Sequence, residues 1–205
     1  YVAALTSREF LEAIQVGPIG RVAVTYMEWG GVDEHFIVAD WTVIQDAESA
    51  SHFASKIAEA PLRQVQRTSI ASALEKSVFL VQNNQFMGLR QVIDISGDGP
   101  NNQGGSVTEM RDRMVAAGVT INGLPLMMKS NKNTWQAMLN LDHYYEDCVI
   151  GGPGSFAIPV RSQEGFADAI RMKLVMEIAG LRMPEPGPYF QRVAGREPIR
   201  CNLFD

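Results

Sequence analysis

The chain has 205 residues, enough for one good-sized core, and a hydrophobic content of 46%, ordinary for a globular protein. Its formal net charge of -5 argues against a nucleic-acid backbone as partner, which favours a basic face. No apolar run approaches the roughly 18 residues needed to cross a bilayer, and the opening residues lack the basic start and apolar middle of a signal peptide.

Thr6, Ser7, Arg8 and Glu9 spell a capping box, with the Thr6 hydroxyl and Glu9 carboxylate satisfying the free amides of a helix start. The helix after it presents Phe10, Leu11 and Ile14, and Gly17-Pro18 ends it. From Arg21 to Trp29 both alternating faces are mostly apolar, which predicts a strand covered on both sides. After Gly30-Gly31, His35 to Ile44 predicts a second strand, antiparallel to the first. Asp46 to Ala60 reads as a helix with Ala50, Phe53, Ala54 and Ile57 inward, stopped by Pro61. A further helix begins after Thr68, where Ile70, Leu74, Val78 and Val81 recur at helical spacing.

Residues 91–96 form a short apolar strand that stops at an acidic, glycine-bearing turn, residues 97–102, carrying Asp98 to a sheet edge. In open α/β sheets such an edge is where ligands bind. A helix from Ser106 to Ala117, a strand from Val119 to Leu126 and a helix from Trp135 to Asp147 come next. A strand is expected over residues 156–160, then a long helix over residues 162–179 with Phe166, Ile170, Leu174 and Ile178 inward. Beyond Gly180, Pro184, Pro186 and Pro188 mark an irregular tail, so residues 1–180 are read as one domain and 181–205 as its appendage. Strands alternating with helices predict a doubly wound, mostly parallel sheet with an antiparallel edge.

Several passages carry a resemblance: GRVAVTYMEW at residues 20–29, VIDISGDGPNN at 92–102, GVTING at 118–123 and YYEDCVIGGPG at 144–154. Together with the element order they resemble a bacterial von Willebrand factor A-like family of unknown function, over about residues 1 to 180. In von Willebrand factor A domains, three loops build a metal-ion-dependent adhesion site for Mg²⁺ or Mn²⁺. They carry Asp-x-Ser-x-Ser, a threonine, and an aspartate before glycine. The resemblance places Thr68 in the second loop and Asp98 in the third. It also implies that this sequence lacks the first strand and its loop, since residue 1 already sits in the helix after them. A hard cation held by hydroxyl, carboxylate and water oxygens keeps a position for a partner's carboxylate.

Each candidate has a structural alternative. Asp98 also suits a turn that caps amides, Thr68 a helix cap, and Asn101 and Asn102 either touch a ligand or shape the turn. Asp94 and Ser96 share a strand face, as hydrogen-bonded groups or as supports behind the cation. The letters Asp94-Ile95-Ser96-Gly97-Asp98 also resemble a calcium loop, but Gly105 stands where a bidentate Glu is needed. Asp142 with Glu146, and His143 with Asp147, are four apart and read as a solvated face. Cys148 and Cys201, 53 positions apart, form no zinc or redox motif and either pair or pack as free thiols. Exported-looking relatives in the resembled family imply a periplasmic setting and that pairing. Nucleophile elbows, phosphate loops and dinucleotide fingerprints are missing from the sequence. The expectation is a non-enzymatic interaction module that binds a partner protein's acidic side chain through the cation. The alternatives are a metal-free scaffold and a metal-dependent phosphoester hydrolase using the same edge.

Overall fold

The computed structural model describes residues 1–128, 140–162, 164–179 and 196–202. Two short helices open the chain, α1 (Val2–Leu5) and α2 (Arg8–Val16). The cap of α2 is Ser7, whose Oγ accepts from the Phe10 amide at 3.3 Å. The expected Thr6 cap is therefore corrected: α1 ends there, and the Thr6 hydroxyl donates back to the Val2 carbonyl. Phe10 and Ile14 are buried, and Gly17 closes the helix as expected.

Strands β1 (Val22–Trp29) and β2 (His35–Ile44) pair antiparallel, Val22 opposite Ile44 and Trp29 opposite His35. Helix α3 (Ala47–Ala58) starts at Asp46, which exchanges hydrogen bonds with Ser49, and buries Ala50, Phe53 and Ala54. Helix α4 (Ile70–Gln82) buries Ile70 and Leu74 completely. Strands β3 (Gln91–Gly97) and β4 (Val119–Pro125) pair in parallel, joined by α5 (Val107–Ala116). Helix α5 stops at Gly118, whose φ of +85° lies in the left-handed region that glycine alone enters at no steric cost.

Beyond β4 the structure departs from the expected elements. The long helix expected over residues 135–147 lies outside the described residues up to 139. From Leu141 the chain makes one helical turn, α6 (Leu141–Tyr144), continued by a π turn over Tyr145–Val149. Residues 156–160 run beside β4 through isolated bridges, Gly123 with Ala157 and Leu126 with Val160, rather than as a continuous strand. Pro159 has no N–H to donate to a ladder there. The last helix, α7 (Phe166–Ala179), starts four residues later than expected. Pro184, Pro186 and Pro188, read as tail, lie outside the described residues.

The elements form three layers. Helices α1, α2, α3 and α7 pack on one face, with Phe10, Ile14, Ile44 and Phe53 in one cluster and Leu124 and Ile170 in another. Helices α4 and α5 and the π turn cover the other face through Leu74, Ile93, Ile95, Ile121 and Tyr145. This is the doubly wound α/β arrangement. Among the described residues, however, the ladders form two separate two-stranded sheets, β1 with β2 and β3 with β4.

Candidate functional site

Three passages meet at the C-terminal ends of β1 and β3. They are the turn after Trp29, the approach to α4 at Thr68 and Ser69, and residues 97–105. The Ser69 amide donates to the Gly30 carbonyl at 2.7 Å, tying the start of α4 to the end of β1. The Thr68 amide donates to Asn102 Oδ1 at 2.9 Å, and the Asn102 amide donates back to the Thr68 carbonyl at 2.8 Å. Asn101 is fully buried. It accepts from the Ala71 amide at 3.2 Å and donates from Nδ2 to the Gly105 carbonyl at 3.2 Å, while its own amide donates to Tyr144 Oη at 3.2 Å. Both asparagines thus bind the Thr68 passage to the loop that begins at Asp98.

That clamp has a physical reason. Pro100 and the flanking glycines keep this loop out of regular structure, so its amides and carbonyls need side-chain partners once buried. Asp98 is exposed at the start of the loop and Thr68 is half-buried beside it. The helix cap falls one residue after Thr68: Ser69 Oγ accepts from the Ser72 amide at 3.4 Å. The cap role considered for the Thr68 hydroxyl is therefore filled by its neighbour. Thr68 and Asp98 offer one hydroxyl and one carboxylate, oxygen donors of the kind a hard cation takes. Among the described residues there is no cluster of three or more His, Cys, Asp or Glu that would hold a metal by itself.

Asp94 and Ser96 lie on the opposite face of β3 from Ile93 and Ile95. The Ser96 hydroxyl is hydrogen-bonded to Tyr1 Oη at 2.6 Å. Asp94 forms an ion pair with Lys173 of α7, whose Nζ also lies 2.6 Å from Glu177 Oε1. Asn122 Nδ2 donates to the same Glu177 oxygen at 2.7 Å, and Asn122 Oδ1 accepts from the Phe156 amide at 3.1 Å. One ammonium serves two carboxylates in a site where Lys173 is only 1% exposed. Burial pushes the Asp94 carboxyl up, Lys173 pulls it down and Glu177 pushes it up again, leaving it at about 7.

The sequence reading missed Lys173, Glu177 and Asn122. Their signal was present: a lysine and glutamate four apart beside the apolar stripe of a helix, and an asparagine inside an apolar strand. It also missed Tyr145, which lies in a passage that carries the resemblance. Tyr145 is fully buried, and its hydroxyl has no hydrogen-bond partner among the described residues. Burial, then the charges of neighbouring groups including Asp98, holds it well above the usual phenol range. A Cβ on Gly97 would stand 2.7 Å from Tyr145 Oη and 3.3 Å from the Trp29 ring. Glycine is therefore required where β3 turns toward Asp98.

The acidic residues of α6 and the π turn serve the chain itself. Asp142 pairs with Arg161 at 2.7 Å. Glu146 and Asp147 each lie 3.0 Å from Arg196, and Asp147 also accepts from the Ile199 amide at 2.9 Å. Cys148 and Cys201 are joined as a disulfide, so residues 196–202 return to the π turn beneath the candidate edge.

Residues 1–182 match a family profile described as "Protein of unknown function (DUF1194)". No curated protein matches the chain by sequence. Among solved structures the chain is similar to proximal thread matrix protein 1 from the mussel byssus. The identity is 12% and the TM-score 0.54, over 87% of this chain and 42% of that one. A further structure of the mussel protein, with a zinc-occupied MIDAS motif, aligns at 13% identity and a TM-score of 0.53, over 85% and 40%. BatB from Bacteroides thetaiotaomicron aligns more loosely, at 14% identity and a TM-score of 0.48 over 84% of this chain and 86% of that one. The chain spans less than half the length of the mussel protein. The likeness at these identities concerns fold, and the fold is the von Willebrand factor A-like α/β arrangement.

Proposed function

This chain belongs to the DUF1194 family of proteins of unknown function, and from that premise we propose a non-enzymatic protein-interaction module that binds an acidic side chain of a partner protein through Mg²⁺ or Mn²⁺. The observation that carries this reading is the reciprocal pairing of Thr68 with Asn102, which holds the Thr68 passage against the Asp98 loop. Such fixing of two oxygen-bearing loops keeps their geometry when a ligand arrives. Thr68 and Asp98 are the residues that would hold the cation, and when bound it would supply a positive seat for a carboxylate. Two donors fall short of the roughly six that a small hard cation takes. The remaining protein ligands would come from an Asp-x-Ser-x-Ser loop, a pattern these residues do not carry. A zinc-occupied MIDAS motif in a mussel protein of similar fold supports the reading.

The domain ends near residue 180 and the proline-bearing segment after it is an appendage. The setting is exported or periplasmic, supported by the Cys148–Cys201 disulfide, since such bonds persist in oxidising compartments.

The test is calorimetry with MgCl₂ and MnCl₂ on this chain and on the chain extended upstream of Tyr1. Binding is expected in the extended chain, and Asp98→Ala should weaken it at least tenfold. Absence of binding in both forms would overturn the metal reading in favour of a metal-free scaffold. Metal-dependent turnover of a phosphoester panel, lost in Asp98→Ala, would favour a hydrolase instead.

A further inference from the structure

Tyr144 and Tyr145 are both fully buried where α6 passes into the π turn. The Tyr144 hydroxyl accepts from the Asn101 amide at 3.2 Å, whereas that of Tyr145 has no hydrogen-bond partner among the described residues. A hydroxyl taken out of water without a partner loses its hydration and gains nothing in return. A phenylalanine ring would fill the same space without that cost, so packing does not account for the Tyr145 oxygen.

The ring has a fixed direction. A Cβ on Gly123 would stand 2.6 Å from Tyr145 Cδ1, and one on Gly97 would stand 2.7 Å from Tyr145 Oη. Gly123 lies opposite Ile95 in the parallel pair, and Gly97 is two residues further along β3. The side chain thus lies in a slot between two glycines and points its hydroxyl toward the C-terminal end of β3. Asp98 is the next residue of the chain, and the Trp29 ring at the end of β1 stands 3.3 Å from the Gly97 Cβ position. The turn that carries the ring is itself anchored. The Ile150 amide donates to the Tyr145 carbonyl at 2.9 Å, and Cys148 is joined to Cys201. Single π turns next to α-helices are frequent at functional sites.

We infer that Tyr145 is a positioning residue of the candidate edge, its hydroxyl donating a hydrogen bond to the Asp98 carboxylate in the cation-bound protein. The inference rests on the metal reading above and adds to it a group that does not itself touch the cation. A carboxylate has two oxygens and about four lone-pair sites, so one oxygen can meet Mg²⁺ while the other accepts from the phenol. Groups that ligate a metal are themselves held by hydrogen bonds, and loss of such a support weakens metal binding by about 10- to 100-fold.

The test uses the full-length protein, its Tyr145→Phe variant and its Asp98→Ala variant. Calorimetry with MgCl₂ is set beside urea unfolding in EDTA. Tyr145→Phe is expected to bind Mg²⁺ about tenfold more weakly, with a metal-free unfolding midpoint unchanged or higher. Carbon-13 NMR of protein labelled at tyrosine Cζ gives the direct readout. The resonance missing from Tyr145→Phe is expected to shift when MgCl₂ is added to the parent and to stay in place in Asp98→Ala. Equal Mg²⁺ affinity of parent and Tyr145→Phe, or a resonance that does not move, would overturn the inference and leave the metal reading standing. A midpoint that falls together with the affinity would overturn it too, assigning the hydroxyl to the fold. A parent that binds no Mg²⁺ would overturn both.

Discussion

Replacing Lys173 with methionine removes the one ammonium that Asp94 and Glu177 share. The lysine side chain is 1% exposed, and those of its partners 20% and 11%, so water does not take its place. Breaking a buried pair by deleting one partner costs about 3–5 kcal/mol, because the other charge is left uncompensated. With a urea slope of about 2 kcal/mol per molar, the unfolding midpoint of Lys173→Met falls by about 2 M at neutral pH. The loss shrinks as pH is lowered toward 5, where the Asp94 carboxyl, held at about 7, takes up its proton and no longer needs a counter-charge. The neutral triple variant Asp94→Asn, Lys173→Met, Glu177→Gln recovers most of the stability, since the amide that replaces the Glu177 carboxylate keeps an acceptor for Asn122. Urea denaturation followed by circular dichroism at three pH values is the assay. A loss below about 1 kcal/mol that does not change with pH would refute the argument.

The same cluster sets a pH dependence. Asp94 is held at about 7 in the folded protein against an ordinary 3.8, so its contribution to stability is fully present below about pH 4 and is lost as pH rises to about 7. Glu177→Gln lowers the folded value and flattens that slope, as read by carboxyl NMR titration. Cys201→Ser opens a loop of 53 residues and is expected to cost about 4 kcal/mol by loop-closure entropy, measured by urea unfolding under non-reducing conditions. Gly97→Ala forces a methyl against Tyr145 Oη and Trp29 and should cost about 1–3 kcal/mol in the same assay. Tyr145→Phe, which removes a buried hydroxyl without a partner among the described residues, should leave stability unchanged or raise it by about 1 kcal/mol.

The hairpin and the parallel pair were legible because their signals are local. Alternation in residues 22–29 and the break at Gly30-Gly31 define β1 and its return, and Val92, Ile93 and Ile95 before Gly97 define β3. The candidate edge was legible through Asp98 for the same reason: a strand ending in an acidic glycine turn delivers a carboxylate to a sheet end. The cap at Thr6 was misplaced by one residue, and the cap weighed for Thr68 as the alternative to a metal ligand falls on Ser69. Adjacent Thr-Ser pairs carry the same chemistry, and the choice between them depends on where the backbone turns into the helix. The expected strand at residues 156–160 became isolated bridges because Pro159 removes an N–H that apolar character alone does not reveal.

What composition and periodicity determined by themselves was the order of helices and strands, the doubly wound class and the arrival of Asp98 at a sheet edge. These follow from side-chain size, turn chemistry and spacing within a few residues. Only the tertiary structure decided that Asn101 and Asn102 lash the Thr68 passage to the Asp98 loop, that Lys173 meets Asp94, and that the Tyr145 hydroxyl stands at Gly97. Those relations join residues about 30 to 80 positions apart, where local spacing carries no information and packing alone determines which groups meet.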